Sequence, residues 1–347
     1  MSMHNDTVEL GVFSELPRAP LLHFRTPLEP MPNLTAHCGG ARLMIKRDDC
    51  TGLAFGGNKV RQLEFYFGRA LVENADTILI TGAVQSNFVR LAAAAARKLG
   101  MEIHIQLEER VAKDDARYRE SGNVFLDKML GATLHSYPEG EDEAGADRRL
   151  GEIAEDLRKT GRKPYIIPLS PGHPPLGALG YIVAAKELLN QVVERNLSID
   201  EVFVASGSGA THGGLLFGLR ALGSKIPVTG ICIRREADLQ IGRIHNCCNG
   251  VAALLQMDNP VTDDEIRLVD AFLAPGYGVI NEATAEAIRL GAQKEAVILD
   301  PVYTGKTMAG VIDRARSSNE QSQYIFLHTG GTPAVFAYQA DIEKALR

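Results

Sequence analysis

The stretch Phe55-Gly56-Gly57-Asn58-Lys59 decides how this sequence is interpreted. Its two glycines bring a single lysine to the start of a predicted helix, in which apolar residues step by three and four from Val60 to Leu71. A lysine that attacks a carbonyl group must lose its proton readily and must be held in one place. Burial behind the glycine pair would do both, so Lys59 is a candidate for covalent chemistry with an aldehyde.

A second stretch, Thr81-Gly-Ala-Val-Gln-Ser-Asn87, lies close downstream. An apolar strand runs into a glycine turn, and Ser86 then caps a predicted alanine-rich helix that ends near Gly100. The hydroxyl, the amide and the helix N-terminal N–H groups at Ser86 and Asn87 would converge on a carboxylate, which is how an amino acid would be held. A helix cap without a ligand is the alternative for Ser86.

The run Ser206-Gly-Ser-Gly-Ala-Thr-His-Gly-Gly214 follows an apolar strand and precedes a helix. Small residues let backbone N–H groups approach a phosphate, and a helix N-terminus adds favourable partial charge. The run lacks the ending of a P-loop and the spacing of a dinucleotide site, which favours a phosphate ligand smaller than a nucleotide. Together with Lys59, Tyr277 and Tyr303, it predicts a phosphorylated aldehyde cofactor.

Length and composition limit the possible classes of protein. The 347 residues suffice for roughly two domains, and the interspersed charges, with a net charge of −6, argue against nucleic acid or an anionic membrane as a partner. No apolar run reaches the roughly 18 residues of a membrane span, and Met1 to Glu15 lacks the apolar core of a signal peptide, so a cytoplasmic location is expected. The five cysteines lack CxxC spacing, which predicts reduced thiols and no metal site.

Strand and helix signals alternate along the chain, which predicts parallel sheets built from βαβ units. Residues 1–40 are rich in proline and are expected to wrap the surface before a first strand at Leu43 to Lys46. Further strands are predicted at 77–81, 102–107, 132–136, 165–169, 201–205, 227–233 and 324–328. The segment Ser170-Pro-Gly-His-Pro-Pro175 excludes a helix or a central strand, so an interdomain hinge is predicted there.

Six motifs occur in order from about residue 25 to 340, and they resemble the D-cysteine desulfhydrase and 1-aminocyclopropane-1-carboxylate deaminase family. They are Phe55-Gly-Gly-Asn-Lys59, Gln85-Ser-Asn87, Gly177-Ala-Leu-Gly-Tyr181, Pro275-Gly-Tyr-Gly278, Asp300-Pro-Val-Tyr-Thr-Gly-Lys306 and His328-Thr-Gly-Gly331. The resemblance implies an α/β fold type II pyridoxal-phosphate enzyme, similar to the tryptophan synthase β chain. Two mostly parallel, three-layer αβα domains would hold the cofactor in a cleft. The large domain would comprise residues 1–60 and 176–347 and the small domain residues 61–175, usually in a homodimer.

The same resemblance implies a role for individual residues. Lys59 corresponds to the lysine that carries the cofactor, Ser86 to a serine facing the substrate, and Asn87 to a residue beside the phenolic oxygen of the cofactor. Tyr277 and Tyr303 correspond to the two active-site tyrosines. The predicted phosphate cup comprises Gly207, Ser208, Gly209, Ala210 and Thr211, with Asn58 as a further cofactor contact. Gln85, Phe88 and His173 join Ser86 and Asn87 as predicted substrate contacts.

Two positions separate branches of this family. Where cyclopropane-carboxylate deaminases typically have Glu and Leu, this chain has Thr304 and Thr329, both expected near the cofactor. A carboxylate near the pyridine nitrogen favours protonation of the ring and strengthens its electron-withdrawing character. A neutral hydroxyl leaves the ring less electron-withdrawing, which suits simple β-elimination.

Three departures from the family pattern concern the substrate side. Phe88 stands where desulfhydrases usually have His, and Gly209-Ala210 inverts the usual Ala-Gly of the phosphate loop. Ser170-Pro-Gly-His173 replaces a Gly-Gly-Ser-Asn type of hinge. His173 could meet an anionic β-substituent, which keeps L-cysteate open as a substrate, while packing within the loop is the alternative.

The implied activity is β-elimination from a small amino acid, with D-cysteine giving pyruvate, hydrogen sulfide and ammonia. The alternatives among enzymes are an L-cysteate sulfo-lyase and a 1-aminocyclopropane-1-carboxylate deaminase. A catalytically silent binding protein for pyridoxal phosphate or an amino acid is the alternative outside enzymes. A nucleotide-binding pair of βαβ domains would explain the glycine loops but neither Lys59 nor the tyrosines.

Overall fold

The computed structural model describes residues 7–170 and 172–346, whose strands form two sheets. The strands are β1 (Leu28–Pro30), β2 (Arg42–Lys46), β3 (Thr77–Ala83), β4 (Glu102–Glu108), β5 (Thr133–Tyr137), β6 (Pro164–Ile167), β7 (Glu201–Ser206), β8 (Val228–Cys232), β9 (Arg267–Val269) and β10 (Gln323–Leu327). The α-helices are α1 (Pro32–Cys38), α2 (Lys59–Val72), α3 (Asn87–Lys98), α4 (Ala116–Glu120), α5 (Gly122–Met129), α6 (Glu143–Lys159), α7 (Leu176–Glu194), α8 (Ala210–Ala221), α9 (Ala237–Leu255), α10 (Glu282–Glu295), α11 (Thr304–Arg316), α12 (Thr332–Ala337) and α13 (Gln339–Ala345).

The larger sheet takes strands from both ends of the chain. Its order is β1-β2-β10-β7-β8-β9, and its strand pairs are parallel except that β1 runs antiparallel to β2 at the edge. The late strand β10 lies in the interior, where Ile325 pairs with Met44 of β2 on one side and with Val202 of β7 on the other. Every residue of β10 is buried, as expected of a parallel strand covered on both faces.

The smaller sheet uses one continuous part of the chain, from β3 to β6. Its order is β5-β4-β3-β6, and every pair is parallel. The central strand β3 is buried along its whole length, and helices α3 and α6 pack against it. Parallel neighbours require crossover connections, which these helices supply. The predicted α/β class with mostly parallel sheets is therefore confirmed.

Six strands of the two sheets end beside the same cleft. Residues that line it end or follow β3, β4, β6, β7, β8 and β10. Ligands of open α/β sheets bind outside the carboxyl ends of the strands, so this position alone marks the cleft as the candidate site.

The proline-rich N-terminal part contains two elements that the sequence pattern did not predict. Pro30 ends the edge strand β1, and Pro32 occupies the first turn of α1. Proline is tolerated at both kinds of position, because neither requires its missing N–H group. Elements of three and seven residues are also too short to show a hydrophobic period. The strand β9 and the last two helices, α12 and α13, were likewise not predicted.

The predicted hinge 170–175 includes Pro171, which lies outside the described residues. Its described residues form neither helix nor strand before α7 begins at Leu176. Within residues 7–170 and 172–346, no helix is long and apolar enough to cross a membrane.

Candidate active site

The backbone before α2 is shaped to deliver Lys59 to the cleft. Gly56 and Gly57 have φ values of +65° and +131°, and a Cβ at Gly56 would stand 1.9 Å from the backbone oxygen of Asp49. Only glycine fits such a position without strain. Thr51 Oγ1 accepts a hydrogen bond from the N–H of Gly57 at 2.8 Å and donates to its carbonyl at 3.0 Å. The turn is thereby fixed on both sides of its peptide group.

The Lys59 amine has little to keep it protonated. Burial lowers the pKa of Lys59 to about 8. Nζ donates to Gln62 Oε1 at 3.3 Å and lies 5.3 Å from the centre of the Phe88 ring. No carboxylate among the described residues forms a salt bridge with it. A neutral amine, which carbonyl chemistry requires, is therefore available near physiological pH.

A buried cluster of charges holds α2 against the rest of the fold. Arg61, two residues after Lys59, donates to both oxygens of Asp48 and to both oxygens of Glu187 on α7, at 2.9 to 3.0 Å. Lys46 and Tyr181 also donate to this pair of carboxylates. Asp48 lies in the short 3₁₀ turn that follows β2. Its actual role is to anchor the helix that carries Lys59.

Ser86 and Asn87 lie at the beginning of α3, as predicted. Ser86 Oγ accepts hydrogen bonds from the N–H groups of Phe88 and Val89 at 3.2 and 3.5 Å, so the hydroxyl proton is free to point into the cleft. Asn87 Oδ1 accepts from Asn123 Nδ2 at 2.9 Å and from Arg90 Nη2 at 3.4 Å. With its oxygen engaged in this way, the Asn87 amide presents its N–H₂ group to the cleft.

The glycine-rich loop is arranged to receive an anion. Gly209 has a φ of +102° and leads into α8, and the N–H groups of Ser208, Gly209 and Ala210 have no acceptor among the described residues. Thr211 Oγ1 accepts from Asn58 Nδ2 and from Gln62 Nε2, each at 2.8 Å, so its proton is also available. Free N–H groups at a helix N-terminus form a phosphate-binding site.

The two predicted tyrosines meet across the cleft. Their hydroxyl oxygens are 2.7 Å apart, and their rings pack edge to face. Tyr303 stands at the start of α11, where Asp300 accepts hydrogen bonds from its N–H group at 2.9 Å. The loop that carries Tyr277 is held by Lys306 of α11, whose Nζ donates to three backbone carbonyls of that loop. Burial raises the pKa of both phenols, so both are neutral at physiological pH.

The structure brings most of the predicted site residues into one cleft. They are Asn58, Lys59, Ser86, Asn87, Phe88, Gly207, Ser208, Gly209, Thr211, Tyr277, Tyr303 and Thr329.

Four predicted site residues do not line this cleft. Gln85 is engaged by the backbone of Tyr118, Ser121 and Asn123. Ala210 and His173 line a neighbouring cavity.

Thr304 is the fourth of these residues, and it is fully buried. Its hydroxyl donates to Asp300 Oδ1 and accepts from the N–H of Asp300, each at 2.7 Å. The hydroxyl expected near the pyridine ring is thus occupied at the start of α11.

Several charged residues of the cleft were missed by the sequence pattern. Arg110 follows the carboxyl end of β4, and Arg234 and Arg235 follow that of β8. Arg234 and Arg235 both donate to Glu143 Oε1, at 2.6 and 2.7 Å, from across the cleft. Their position directly after predicted strands was the one available signal, because side chains there converge in a parallel sheet.

The chain is similar to known proteins over most of its length. A family described as "Pyridoxal-phosphate dependent enzyme" matches residues 20–330. A D-cysteine desulfhydrase of Klebsiella pneumoniae is 40% identical over 333 residues, covering 95% of this chain and 99% of the relative. A 1-aminocyclopropane-1-carboxylate deaminase of Burkholderia vietnamiensis is 39% identical over 326 residues, covering 93% and 96%. The crystal structure of an "ACC deaminase homologue" has a TM-score of 0.86 at 36% identity, covering 96% and 98%.

The chain therefore belongs to the pyridoxal-phosphate dependent enzymes, and pyridoxal phosphate is its cofactor. Within that class it is a member of the family of D-cysteine desulfhydrases and 1-aminocyclopropane-1-carboxylate deaminases, as its six motifs predicted. The predicted fold type II architecture is confirmed as well. The residues present fit the cofactor: Lys59 for its aldehyde, the loop before α8 for its phosphate, and the amide of Asn87 for its phenolic oxygen.

Proposed function

We propose that this protein is a pyridoxal-phosphate-dependent β-elimination lyase for a small amino acid, with D-cysteine as the first candidate. The observation that carries the proposal is a half-buried lysine of lowered pKa in the same cleft as a phosphate-binding loop and a carboxylate-binding helix start. The names of relatives at about 40% identity support a lyase that acts on a small amino acid. The products from D-cysteine would be pyruvate, hydrogen sulfide and ammonia.

Lys59 supplies the base in this proposal. With a pKa of about 8, its amine is partly neutral at physiological pH and can take the proton from Cα. When bound, pyridoxal phosphate withdraws the electrons left at Cα. The bond between Cβ and the leaving group then breaks, and the leaving group departs with the electron pair. Water hydrolyses the resulting 2-aminoacrylate to pyruvate and ammonia.

The remaining residues of the cleft orient the substrate and donate a proton to its leaving group. Ser86 Oγ–H and the first N–H groups of α3 would hold the α-carboxylate, since the helix start carries partial positive charge. The hydrogen-bonded tyrosines, both neutral, can donate a proton to the departing sulfur. Phe88 packs beside Lys59 and limits access of water to the amine.

Ring opening of a cyclopropane amino acid is supported less well. That reaction gains from a carboxylate that favours protonation of the pyridine ring, and Thr304 supplies no carboxylate. Its hydroxyl is moreover occupied by Asp300. We therefore place simple β-elimination ahead of the deaminase reaction.

The test is pyruvate release from D-cysteine by the purified protein loaded with pyridoxal phosphate, with L-cysteine as the stereochemical control. We expect pyruvate and sulfide in equal amounts from the D-isomer. A protein that binds the cofactor but releases no pyruvate from any β-substituted amino acid would instead be a binding protein.

Three further predictions belong to this proposal. The large domain would comprise residues 1–60 and 176–347 and the small domain residues 61–175, with the cleft between them. Residues 1–6, 171 and 347 of these ranges lie outside the described part. A homodimer is expected from the family resemblance, and a cytoplasmic location stays a prediction of the sequence pattern. Size-exclusion chromatography with light scattering would test the homodimer.

A further inference from the structure

Arg90 on α3 is a fully buried cation that takes no part in the proposed reaction. Burial lowers its pKa to about 10 against the charge of Asp127, so the guanidinium stays protonated at physiological pH. Its hydrogen-bond acceptors among the described residues are all uncharged oxygens. Burying a cation with neutral partners is costly, so these acceptors indicate what the group is for.

Two of the acceptors belong to the lysine turn, the residues 54–57 that precede Lys59. Arg90 Nη1 donates to the carbonyl of Ala54 and to that of Gly56, the latter at 3.1 Å. Ala54 and Phe55 have φ values of +37° and +68° although neither is a glycine, and the Phe55 side chain is largely exposed. Such a backbone persists only where its surroundings hold it. Among the residues that the structure describes, no other side chain donates to either carbonyl, so Arg90 fixes the turn from the side of α3.

The other two acceptors are the oxygens of two asparagine amides. Arg90 Nε donates to Asn123 Oδ1 at 3.1 Å, and Nη2 donates to Asn87 Oδ1 at 3.4 Å. Asn123 Nδ2 in turn donates to Asn87 Oδ1 at 2.9 Å. A guanidinium donates hydrogen bonds and accepts none, so both amides must turn their oxygens towards Arg90. The direction of the Asn87 N–H₂ group, which faces the cleft, is thereby fixed by Arg90.

Asn123 is itself held in place by Gln85. Gln85 Oε1 accepts a hydrogen bond from the N–H of Asn123 at 2.9 Å, and Asn123 Nδ2 donates to the Gln85 carbonyl at 3.0 Å. Gln85 Nε2 donates to the carbonyl of Tyr118 at 2.6 Å. Gln85, which does not line the cleft, thus belongs to a buried network that leads through Asn123 to Arg90.

Lys59 and Asn87 have to reach two adjacent groups of one ring. The aldehyde and the phenolic oxygen of pyridoxal phosphate are borne by neighbouring carbon atoms of the pyridine. The two residues come from different segments, since α2 begins at Lys59 and α3 begins at Asn87. The hydrogen bonds of Arg90 join the turn before α2 to the side chain of Asn87. The two partners of the ring are therefore connected through one planar group.

We propose that Arg90 is a positioning residue that holds the lysine turn and the Asn87 amide in one register, so that the aldehyde and the phenolic oxygen of a single cofactor meet their partners together. Arg90 does not line the cleft and acts only through these two segments. The proposal depends on the cofactor and not on the substrate. It would stand even if D-cysteine were not turned over.

The test measures binding to the full-length apoenzyme, without turnover. Wild type and Arg90→Met would be compared by absorbance titration with pyridoxal phosphate and by calorimetry with inorganic phosphate, which probes the loop before α8 alone. In the variant we expect pyridoxal phosphate to bind about 10- to 100-fold more weakly, the effect of losing hydrogen bonds from a charged donor. The absorption maximum of the bound cofactor should shift, because the Asn87 amide is no longer directed at the phenolic oxygen. The affinity for inorganic phosphate should be unchanged.

Two further variants separate positioning from general stability. Arg97→Met is the matched control, because Arg97 lies on the same helix and also donates to backbone carbonyls, those of Leu130 and Gly131, away from the cleft. It should leave the cofactor affinity and the spectrum as in the wild type. Arg90→Lys keeps the charge, but an ammonium group lacks the planar fork that joins the turn to both amides, so we expect only part of the affinity to return.

A double variant covers the case in which Arg90→Met does not fold. Asp127 is buried, and neither of its carboxylate oxygens has a hydrogen-bond partner in the described part of the chain, so Arg90→Met/Asp127→Asn removes both charges together. Urea unfolding of each apoenzyme checks the fold, and the same two ligands are then titrated.

Two results would overturn the positioning role. One is wild-type affinity and absorption maximum for pyridoxal phosphate in the Arg90 variants. The other is an equal loss of affinity for pyridoxal phosphate and for inorganic phosphate, which would show that Arg90 only supports the fold. A wild type that binds the cofactor but releases no pyruvate would contradict the lyase proposal alone.

Discussion

The hydroxyl oxygens of Tyr277 and Tyr303 lie 2.7 Å apart at the cleft, so one phenol donates to the other and one proton of the pair remains free. The two tyrosines come from different segments, and Lys306 on the helix after Tyr303 ties the loop of Tyr277 to it. Burial keeps both phenols protonated. The pair is therefore a proton donor built as one unit.

From this relationship we expect the tyrosine variants to be non-additive. Tyr277→Phe and Tyr303→Phe should each lower kcat by about 10²-fold, in the range for loss of a general acid. The double variant should be no slower than the slower single variant, because either change removes the same proton path. Steady-state pyruvate release measures this, with Tyr165→Phe in β6 as the control. Multiplied losses in the double variant would mean that the phenols act independently.

Replacement of the lysine should abolish covalent binding of the cofactor. Lys59→Ala is expected to lose the visible absorption band of lysine-bound pyridoxal phosphate, together with all pyruvate release. Lys98→Ala, an exposed change at the end of α3, should keep both. A Lys59→Ala protein that retains the band would contradict the assignment of this lysine.

The lowered pKa of Lys59 predicts how loading depends on pH. The neutral amine attacks the aldehyde, and its fraction rises about tenfold per pH unit below the pKa of about 8 and levels above it. The rate at which the apoenzyme takes up pyridoxal phosphate should follow the same curve in stopped-flow absorbance. A rate that still climbs steeply from pH 9 to 10 would indicate that Lys59 has the ordinary pKa of a lysine.

Asn123 should act on cofactor affinity through Asn87. It holds the Asn87 amide oxygen at 2.9 Å, which leaves the N–H₂ group for the cofactor. We expect Asn123→Leu to weaken pyridoxal phosphate binding by about 3- to 10-fold, the effect of one hydrogen bond. Absorbance titration of the apoenzyme measures the affinity, and a shifted absorption maximum would separate repositioning from general destabilisation. Unchanged affinity and spectrum would refute the role.

The buried carboxylates beneath α2 should make the fold sensitive to acid. Burial opposes ionisation of Asp48, but the charges of Arg61 and Lys46 outweigh it and hold its pKa below the ordinary value. The stability that Asp48 contributes is therefore complete above about pH 4 and is lost as the pH falls through the lowered pKa.

The matching variant is Asp48→Asn, which we expect to cost about 3–5 kcal/mol at pH 7, because it leaves Arg61 under-compensated in the interior. Urea unfolding from pH 7 to pH 3 should show a smaller decline in stability for the variant than for the wild type. Parallel declines would assign acid sensitivity to other groups.

The sequence by itself determined the class of fold and the centre of the site. Alternating strand and helix signals predicted nearly all the long elements, and Lys59, Ser86, Asn87 and the glycine loop were recognisable because each function resides in a local strand-to-helix turn. Such turns need particular residues, such as a glycine at Gly56 that no side chain could replace. Turns that require particular residues can therefore be recognised from the sequence.

Only the tertiary structure decided which side chains outside those turns reach the cleft. Gln85 turns away, because the backbone around Asn123 offers it hydrogen bonds that its neighbours in sequence do not reveal. His173 lines the neighbouring cavity, whereas Arg110 lines the cleft together with the two tyrosines. Its direction is set by Glu108 at the end of β4, and its nearness to the tyrosines by packing between segments more than 160 positions apart. Contacts of that range depend on how the two sheets meet, which no local pattern encodes.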